Sequence, residues 1–314
     1  MSKATAFFLF IILLNFFSIL IFDKYKSYDK STVIIKPGMN LEEISKKLFS
    51  QKIIQNPNLF KIWVKISFSE KKLRYGEFIF EKSNSIYDVT KKLINGDVVF
   101  RKLTIIEGSY KYELLNILKE IDPQSSLEYH DVSDLIIADT YSYQVTDSAE
   151  KILSDIKKLS KDFSHKIWSE RDTSIPLKSI SEMFILASIV EKETAIKNEK
   201  PLISGVFYNR LKKNMRLQSD PTVIYSITQG KYRFKRKLTR KDLKFKSLHN
   251  TYVNKGLPPS IIGFPGKDSL LSTSLPKKSN LLYFVAKNEG GEHYFSSNYK
   301  QHLKNIKASK DEKK

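Results

Sequence analysis

Residues 181–197 read SEMFILASIVEKETAIK, an apolar segment that ends abruptly in two carboxylates, Glu191 and Glu193. The spacing predicts a helix with Leu186 and Ile189 on one apolar face, and Glu193 continues that face. A carboxyl group at the end of an apolar face is partly removed from water, which raises its pKa toward that of a general acid. Glu191 lies on a second, also fairly apolar face. Periodicity alone therefore leaves open which glutamate is functional, or whether both simply end a buried helix.

The composition excludes several classes of protein. The chain has 314 residues, a formal charge of +20 and no cysteine, so disulfides, zinc ribbons, iron–sulfur clusters and thiol nucleophiles are excluded. His293 and His302 lie apart without a metal-binding motif, and no nucleotide-binding fingerprint occurs, so we predict neither a metal nor a cofactor. The positive charge comes mostly from lysines spread along the chain, which argues against a nucleic-acid partner. We interpret the densest basic segment, residues 231–237, as a solvated loop.

The N-terminal region is typical of a membrane anchor. Residues 6–22 read AFFLFIILLNFFSILIF, and this uncharged run would span roughly 26 Å as a helix. No small-residue cleavage site follows it, which favours an uncleaved anchor over a signal peptide, although flanking charge leaves the orientation open. We predict a short N-terminus at residues 1–4, a transmembrane helix at 5–22 and a linker at 23–31.

The sequence pattern of residues 32–98 predicts a small α+β module. Short apolar strands alternate there with amphipathic helices that carry clear start signals. Asn40 with Glu43, and Ser85 with Asp88, each have the spacing of a capping box, in which two side chains satisfy the first free amides of a helix. Such small strand–helix units suit a binding module better than a catalytic core.

The remaining sequence divides into a connecting region at residues 99–175, a catalytic domain at 176–305 and a lysine-rich tail at 306–314. The tail lacks apolar periodicity, so we predict that it is disordered. Within the catalytic domain, polar and aromatic residues are interleaved with apolar ones, as a sugar-binding groove requires, although the same residues also cap helices. The candidate groove residues are Asn209, Arg210, Gln218, Asp220, Tyr225, Asn250 and Tyr252.

Taken together, these blocks resemble the YceG-like endolytic murein transglycosylases (MltG). The matching segments are LASIVEKET (186–194), VFYNRL (206–211), MRLQSDPTVIY (215–225), NTY (250–252), GLPP (256–259), PG (265–266) with SL (269–270), and LYFVA (282–286). The N-terminal span and IKPG at residues 35–38 are similar to the membrane segment and LysM-like subdomain of that family. One departure is that Asp139-Thr140-Tyr141 follows Ala138, where the family usually has proline; this changes local geometry but removes no chemical group.

The resemblance implies an α+β enzyme with a single N-terminal membrane helix, a LysM-like module and a catalytic domain. It places the protein in the bacterial inner membrane, with the catalytic domain in the periplasm or outer wall space. It implies cleavage of the β-1,4 bond between N-acetylmuramic acid and N-acetylglucosamine in nascent glycan strands, which leaves 1,6-anhydromuramyl ends. The catalytic carboxylate of the family's E-K-E-T motif falls on Glu193. Peptidoglycan strands, the lipid bilayer and peptidoglycan synthases are the implied partners, and no cofactor is needed.

Two other functions stay open from the residues. A muramidase-type hydrolase would use Asp220 as a second carboxylate and would release reducing ends. A non-catalytic anchor would bind the cell wall through residues 31–98 and cleave nothing.

Overall fold

The computed structural model describes residues 3–26, 30–81, 83–287 and 291–311. The chain forms two compact units, one of Met1–Lys102 with Ser142–Asp147 and one of Leu103–Tyr141 with Ser148–Lys314. Helices alternate with short strands that pair two by two, which confirms the predicted mixed α+β class.

The first unit contains helices and strands at the places where the sequence predicts them. In chain order these are α1 (Lys3–Phe22), β1 (Tyr25–Lys26), β2 (Ser31–Ile35), α2 (Leu41–Ser50), α3 (Pro57–Ile66), β3 (Gly76–Phe80), β4 (Ser83–Asn84) and α4 (Ile86–Asn95), followed by β5 (Arg101–Thr104). Both predicted capping boxes are present, at Asn40 with Glu43 and at Ser85 with Asp88.

The core of this unit lies where the apolar faces of its helices meet a two-stranded sheet. Strands β2 and β3 pair antiparallel, and β1 pairs with β4 in the same sense. Phe60 from α3, Phe78 and Phe80 from β3, and Val89 and Leu93 from α4 are all buried. Since apolar burial is the dominant favourable contribution to folding, this cluster gives the unit a core of its own.

The predicted transmembrane anchor is not confirmed by the structure. Helix α1 coincides with the predicted span. Its residue Ile21 belongs to the core of the first unit, and its residue Phe22 contacts the rings of Trp63 and Tyr87. Within the part of the chain that the structure describes, however, no helix combines the length and the apolar character that crossing a membrane requires. Residues 27–29 of the predicted linker lie outside the described residues.

The second unit is built around one buried helix. Its elements are α5 (Lys111–Ile121), β6 (Thr140–Tyr143, which begins in this unit), α6 (Ala149–Ser169), α7 (Ile180–Glu193), α8 (Lys200–Lys212), α9 (Asp220–Thr228), α10 (Lys267–Ser274), β7 (Tyr283–Ala286), β8 (His293–Ser296) and α11 (Tyr299–Asp311). Helix α7 packs against α6, α8, α9 and α10, and its residues from Met183 to Val190 are nearly all buried. Thr194 has extended backbone angles (φ −148°, ψ 140°), so the helix ends directly after Glu193.

The C-terminal tail, residues 306–314, is predicted to be disordered, but the structure shows it as helical through Asp311. Helix α11 packs against β7 and β8 and continues through Asp311, while residues 312–314 lie outside the described residues. Ile306 is half-buried, and the Ser309 hydroxyl donates to the carbonyl of Ala286 at 2.8 Å. A few side chains that face the β7–β8 hairpin are therefore enough to order a helix that is otherwise lysine-rich.

Candidate active site

Glu191 and Glu193, between which helical periodicity could not choose, have different environments in the structure. Glu191 accepts hydrogen bonds from Lys200 Nζ at 2.8 Å, from the Gly266 amide at 2.8 Å and from Ser269 Oγ at 2.6 Å. Only 5% of its side chain and 4% of the Lys200 side chain are exposed. Both carboxylate oxygens of Glu191 are thus occupied by groups within the fold. We conclude that Glu191 holds the end of α7 against α8 and the start of α10.

Glu193 has a different environment. Its carboxylate is partly buried at the end of α7 and accepts one hydrogen bond, from Ser219 Oγ at 2.5 Å. The pKa of Glu193 is raised to about 7. Burial is the main cause, the Ser219 hydrogen bond lowers the pKa, and the charges of Asp220 and Arg210 raise and lower it, respectively. A carboxyl group with this pKa can both donate and accept a proton near neutral pH, as general acid–base catalysis requires.

Glu193 opens onto a cleft of about 600 Å³. The end of α7, the loop between α8 and α9, the start of α9, both strands of the β7–β8 hairpin and helix α11 form its walls. The lining residues are Glu193, Arg210, Gln218, Asp220, Tyr252, Tyr283, Phe284, Val285, Ala286, His293, Tyr299, His302 and Ile306.

Arg210 brings a fixed positive charge to this cleft. Its Nε donates to the carbonyl of Leu282 at 2.7 Å, and its Nη1 donates to the carbonyl of Leu217 at 2.5 Å. These bonds hold the buried guanidinium in one orientation, with its charge acting on Glu193. A fixed cation near a carboxyl group stabilises the ionised form, so Arg210 favours Glu193 after the proton has left.

Asp220 and Tyr252 form a pair in the same cleft. Tyr252 Oη donates to Asp220 Oδ1 at 2.6 Å, and the Asp220 carboxylate is otherwise exposed. Burial, followed by the nearby carboxylates, raises the pKa of Tyr252, so its phenol stays protonated and remains a donor.

Four of the seven predicted groove residues, Arg210, Gln218, Asp220 and Tyr252, line the cleft together with Glu193. Ser219, which bonds Glu193, was not a candidate, although its place between Gln218 and Asp220 is a signal that could have identified it. The aromatic and histidine side chains of β7, β8 and α11 were also missed, because nothing near them in the sequence points to Glu193.

The other three predicted groove residues do not line the cleft. The Asn209 amide donates to two carbonyl oxygens in the segment that leads into β7. The buried Asn250 amide donates to two carbonyl oxygens of the loop that precedes it. Tyr225 packs against the rings of Tyr110 and His249. Asn209 and Asn250 thus form hydrogen bonds with backbone carbonyl oxygens, and Tyr225 packs inside the fold. Residue type alone does not distinguish such structural roles from substrate binding.

A metal centre does not form in the described ranges, 3–26, 30–81, 83–287 and 291–311, where no group of three or more His, Asp or Glu side chains is placed to hold an ion. The cleft itself presents one carboxyl group with a raised pKa, a second carboxylate, a fixed guanidinium and several aromatic rings.

A partly buried glutamate that faces an open cleft defines a site for acid–base chemistry on an extended substrate. Residues 33–308 match the YceG-like family, so the chain belongs to this family, as its motifs predicted. It is 27% identical over 310 residues to the endolytic murein transglycosylase of Bacillus subtilis, covering 88% of this chain and 84% of that protein.

Two further proteins are similar to the chain. The endolytic murein transglycosylase of Streptococcus pneumoniae is 26% identical over 322 residues, which cover 88% of this chain but 57% of that longer protein. The crystal structure of a YceG-like protein from Listeria monocytogenes matches with a TM-score of 0.52 and 29% identity, over 89% of this chain and 99% of that one.

Proposed function

We propose that this chain is an endolytic lytic transglycosylase that cleaves peptidoglycan glycan strands, with Glu193 as its acid–base residue. One observation carries the proposal: of the two glutamates at the end of α7, Glu193 alone faces the cleft, and its pKa is about 7. The name of the relatives in B. subtilis and S. pneumoniae supports the same reaction.

The reaction needs one carboxyl group and consumes no water. Protonated Glu193 donates its proton to the glycosidic oxygen as the bond from that oxygen to the muramyl anomeric carbon breaks. The 6-hydroxyl oxygen of the same muramyl residue then bonds to the anomeric carbon, and the Glu193 carboxylate takes the hydroxyl proton. The products are a 1,6-anhydromuramyl end and a free 4-hydroxyl on N-acetylglucosamine, and Glu193 is again protonated.

The neighbours of Glu193 suit both halves of this cycle. Burial favours the protonated form that donates, while the Ser219 hydroxyl and the Arg210 charge stabilise the carboxylate that remains. Since these groups are already fixed in the folded protein, little reorganisation is needed as charge moves during the reaction.

Product analysis tests this proposal. The full chain, purified in detergent, is incubated with uncross-linked glycan strands beside the Glu193→Gln variant, and the products are identified by mass spectrometry. We expect anhydromuramyl ends from the wild type and a loss of about 10² to 10⁴ in rate for the variant. Glu182→Gln, at the start of α7 and outside the cleft, is the matched control and should keep full activity, since glutamine retains an oxygen that can accept from the Lys178 amide. Full activity in Glu193→Gln would refute the assignment.

A muramidase-type hydrolase is the second candidate, because Asp220 lies in the same cleft as Glu193 and could serve as the second carboxylate. Reducing ends in the same experiment, together with a loss of activity in Asp220→Asn, would favour it. We rank it second because the Asp220 carboxylate is already bonded to Tyr252.

We also propose that the protein works at the outer face of the cytoplasmic membrane, beside the peptidoglycan synthases that make its substrate. The support is the exposure of large apolar side chains along α1, such as Phe7 (66%), Phe8 (67%) and Ile19 (62%). Such a surface is stable when lipid covers it. Cell fractionation tests this: the full chain should remain with membranes after carbonate washing, and replacing these three residues by serine should release it.

For residues 32–98 we propose a LysM-like module that binds glycan. The support is a core of its own, with β2 and β3 paired and α2, α3 and α4 packed nearby. Sedimentation of the full chain with purified cell walls tests this, and unchanged binding after substitution of exposed residues throughout the module would contradict it.

A further inference from the structure

One wall of the cleft has no part in the proton transfers described above. It consists of the β7–β8 hairpin and α11, and it presents the rings of Tyr283, Tyr299 and His302. The Tyr283 and His302 rings are stacked, with centroids 5.0 Å apart and planes at 21°, and the Tyr299 ring lies 5.9 Å from Tyr283. Tyr299 is 59% exposed, so this aromatic group has surface that a ligand can cover.

His293 on β8 adds an oriented polar group to the same wall. Glu199 accepts from the His293 amide at 2.8 Å, and its second oxygen lies 2.7 Å from His293 Nδ1. Both side chains are largely buried, with 8% of His293 and 12% of Glu199 exposed. A carboxylate oxygen accepts from the ring nitrogen beside it, so Nδ1 is engaged with Glu199 and Nε2 is the ring nitrogen left for a ligand. The imidazole also meets the Phe284 ring edge to face at 5.4 Å, which further fixes its position.

This combination matches the chemistry of a sugar ring. A pyranose has apolar C–H faces that pack against aromatic rings, and hydroxyl and acetamido groups at its edge that donate hydrogen bonds. In the described residues, His293 Nε2 has no hydrogen-bond partner within the chain, and a polar group of a ligand would supply one.

We propose that the wall formed by β7, β8 and α11 is a saccharide subsite for one N-acetylhexosamine ring. The exposed Tyr299 ring packs against the sugar, while Tyr283, which contacts His302 and Arg210, supports Tyr299 from within the wall. His293 Nε2 forms a hydrogen bond with a hydroxyl or acetamido group of the sugar. Glu199 is a positioning residue that fixes the imidazole. This inference rests on the proposed function in one respect, namely that the bound sugar belongs to the strand that Glu193 cleaves.

Binding to an inactive protein tests the subsite without relying on turnover. The full chain carrying Glu193→Gln is titrated with soluble, uncross-linked glycan strands of alternating N-acetylglucosamine and N-acetylmuramic acid, and Kd is measured by calorimetry. Adding Tyr299→Ala should weaken binding roughly tenfold, because an aromatic contact is lost. Adding His293→Gln should weaken it about threefold to tenfold, the usual range for one hydrogen bond.

Matched controls separate the subsite from general effects of each substitution. Tyr232→Ala removes a similarly exposed tyrosine, and His130→Gln an exposed histidine, both outside the cleft. Neither should change Kd by more than about twofold. Tyr299 is mostly exposed, so its replacement leaves the fold intact even where His293→Gln destabilises it.

The outcomes distinguish this inference from the proposed function. Weaker binding of Tyr299→Ala and His293→Gln, with unchanged Kd for the two controls, would support the subsite. This holds even if the wild-type protein fails to cleave glycan, because the measurement is of binding and not of turnover. Cleavage by the wild type with equal Kd for wall and control variants would overturn the subsite while leaving the function in place. No measurable binding of the glycan to Glu193→Gln would also overturn the subsite.

Discussion

Replacement of Ser219 by alanine is a direct test of how the site sets the pKa of Glu193. The Ser219 hydroxyl donates to Glu193 Oε1 at 2.5 Å, and it is the only hydrogen bond to this carboxylate from the described residues. It stabilises the charged form and so opposes the burial that raises the pKa of Glu193, which is about 7 with this bond in place. Without the donor, the carboxylate loses this stabilisation while its burial is unchanged. We therefore expect the pKa of Glu193 to rise.

The size of this rise follows from the energy of the bond. A hydrogen bond to a charged group contributes about 1.5–3 kcal/mol. One pKa unit corresponds to about 1.36 kcal/mol, so complete loss would raise the pKa by about 1 to 2. Water can reach the cleft and replace part of the bond, which favours the lower end of this range.

The assay is the pH dependence of kcat/KM, which reports the ionisation of the free enzyme. The first step needs protonated Glu193, so wild-type activity should fall as the pH rises above about 7. In Ser219→Ala the same fall should occur about 1 to 2 pH units higher. The variant should thus lose activity near neutral pH, where the proton is held too tightly, yet keep a larger fraction of its maximum at pH 8.5.

The control is Ser226→Ala, which removes a buried hydroxyl that donates within α9 and does not contact Glu193. Its profile should match the wild type. An unchanged midpoint in Ser219→Ala would refute the claim that this bond sets the pKa. A midpoint at lower pH would mean that Ser219 accepts a hydrogen bond from the neutral carboxyl group instead of donating one to the carboxylate.

The remaining predictions concern stability and the second carboxylate. Glu191→Gln should lower the free energy of unfolding by about 3 kcal/mol, because the buried Lys200 ammonium loses its partner; a change below about 1 kcal/mol in denaturant unfolding would contradict this. Glu193→Gln should instead stabilise the protein. The folded-state pKa is raised from 4.5 to about 7, so wild-type stability is lost as the pH rises through this interval, by up to about 3 kcal/mol. The variant should therefore be more stable than wild type at pH 8 and equal to it at pH 4, and equal stability at both pH values would show that the carboxylate is well solvated. Asp220→Asn should retain anhydromuramyl products with at most about tenfold slower turnover, whereas a loss above about 100-fold would indicate that this carboxylate has a direct chemical role. Asn250→Ala removes a fully buried amide that donates to the carbonyl oxygens of Leu243 and Phe245, and it should lower the melting temperature, at a cost of about 2 kcal/mol, while KM stays unchanged.

Local signals account for most of the correct sequence predictions. Capping at Asn40 and Ser85 depends on side chains within three residues of each other, so the pattern is complete in the sequence itself. The same holds for α7, whose apolar residues predict a buried helix that ends in carboxylates. Mixed α+β architecture follows from the alternation of such elements.

The choice between Glu191 and Glu193 depends on contacts that are remote in sequence. Glu191 is bonded to Lys200, nine residues away, and to Gly266 and Ser269, 75 and 78 residues away. Helical periodicity places both glutamates beside apolar residues and contains no information about these partners. The family resemblance implies the role for Glu193, and the fold supports that proposal, since of the two glutamates only Glu193 lines the cleft.

Helix α11 shows why composition alone can wrongly predict disorder. A few contacts with the rest of the fold are enough to order a largely polar helix. Its sequence, YKQHLKNIKASKD, is dominated by polar residues, and the expectation of disorder rests on too little apolar surface to offset the entropy of ordering. The β7–β8 hairpin changes this balance. It supplies Tyr283 for the His302 ring and a carbonyl for Ser309, so ordering one face is sufficient to hold the helix. Of the α11 residues that line the cleft, Tyr299 and His302 lie in the predicted catalytic domain, whereas Ile306 lies in the segment that composition assigned to a disordered tail. The ordered start of that tail therefore belongs to a wall of the candidate active site.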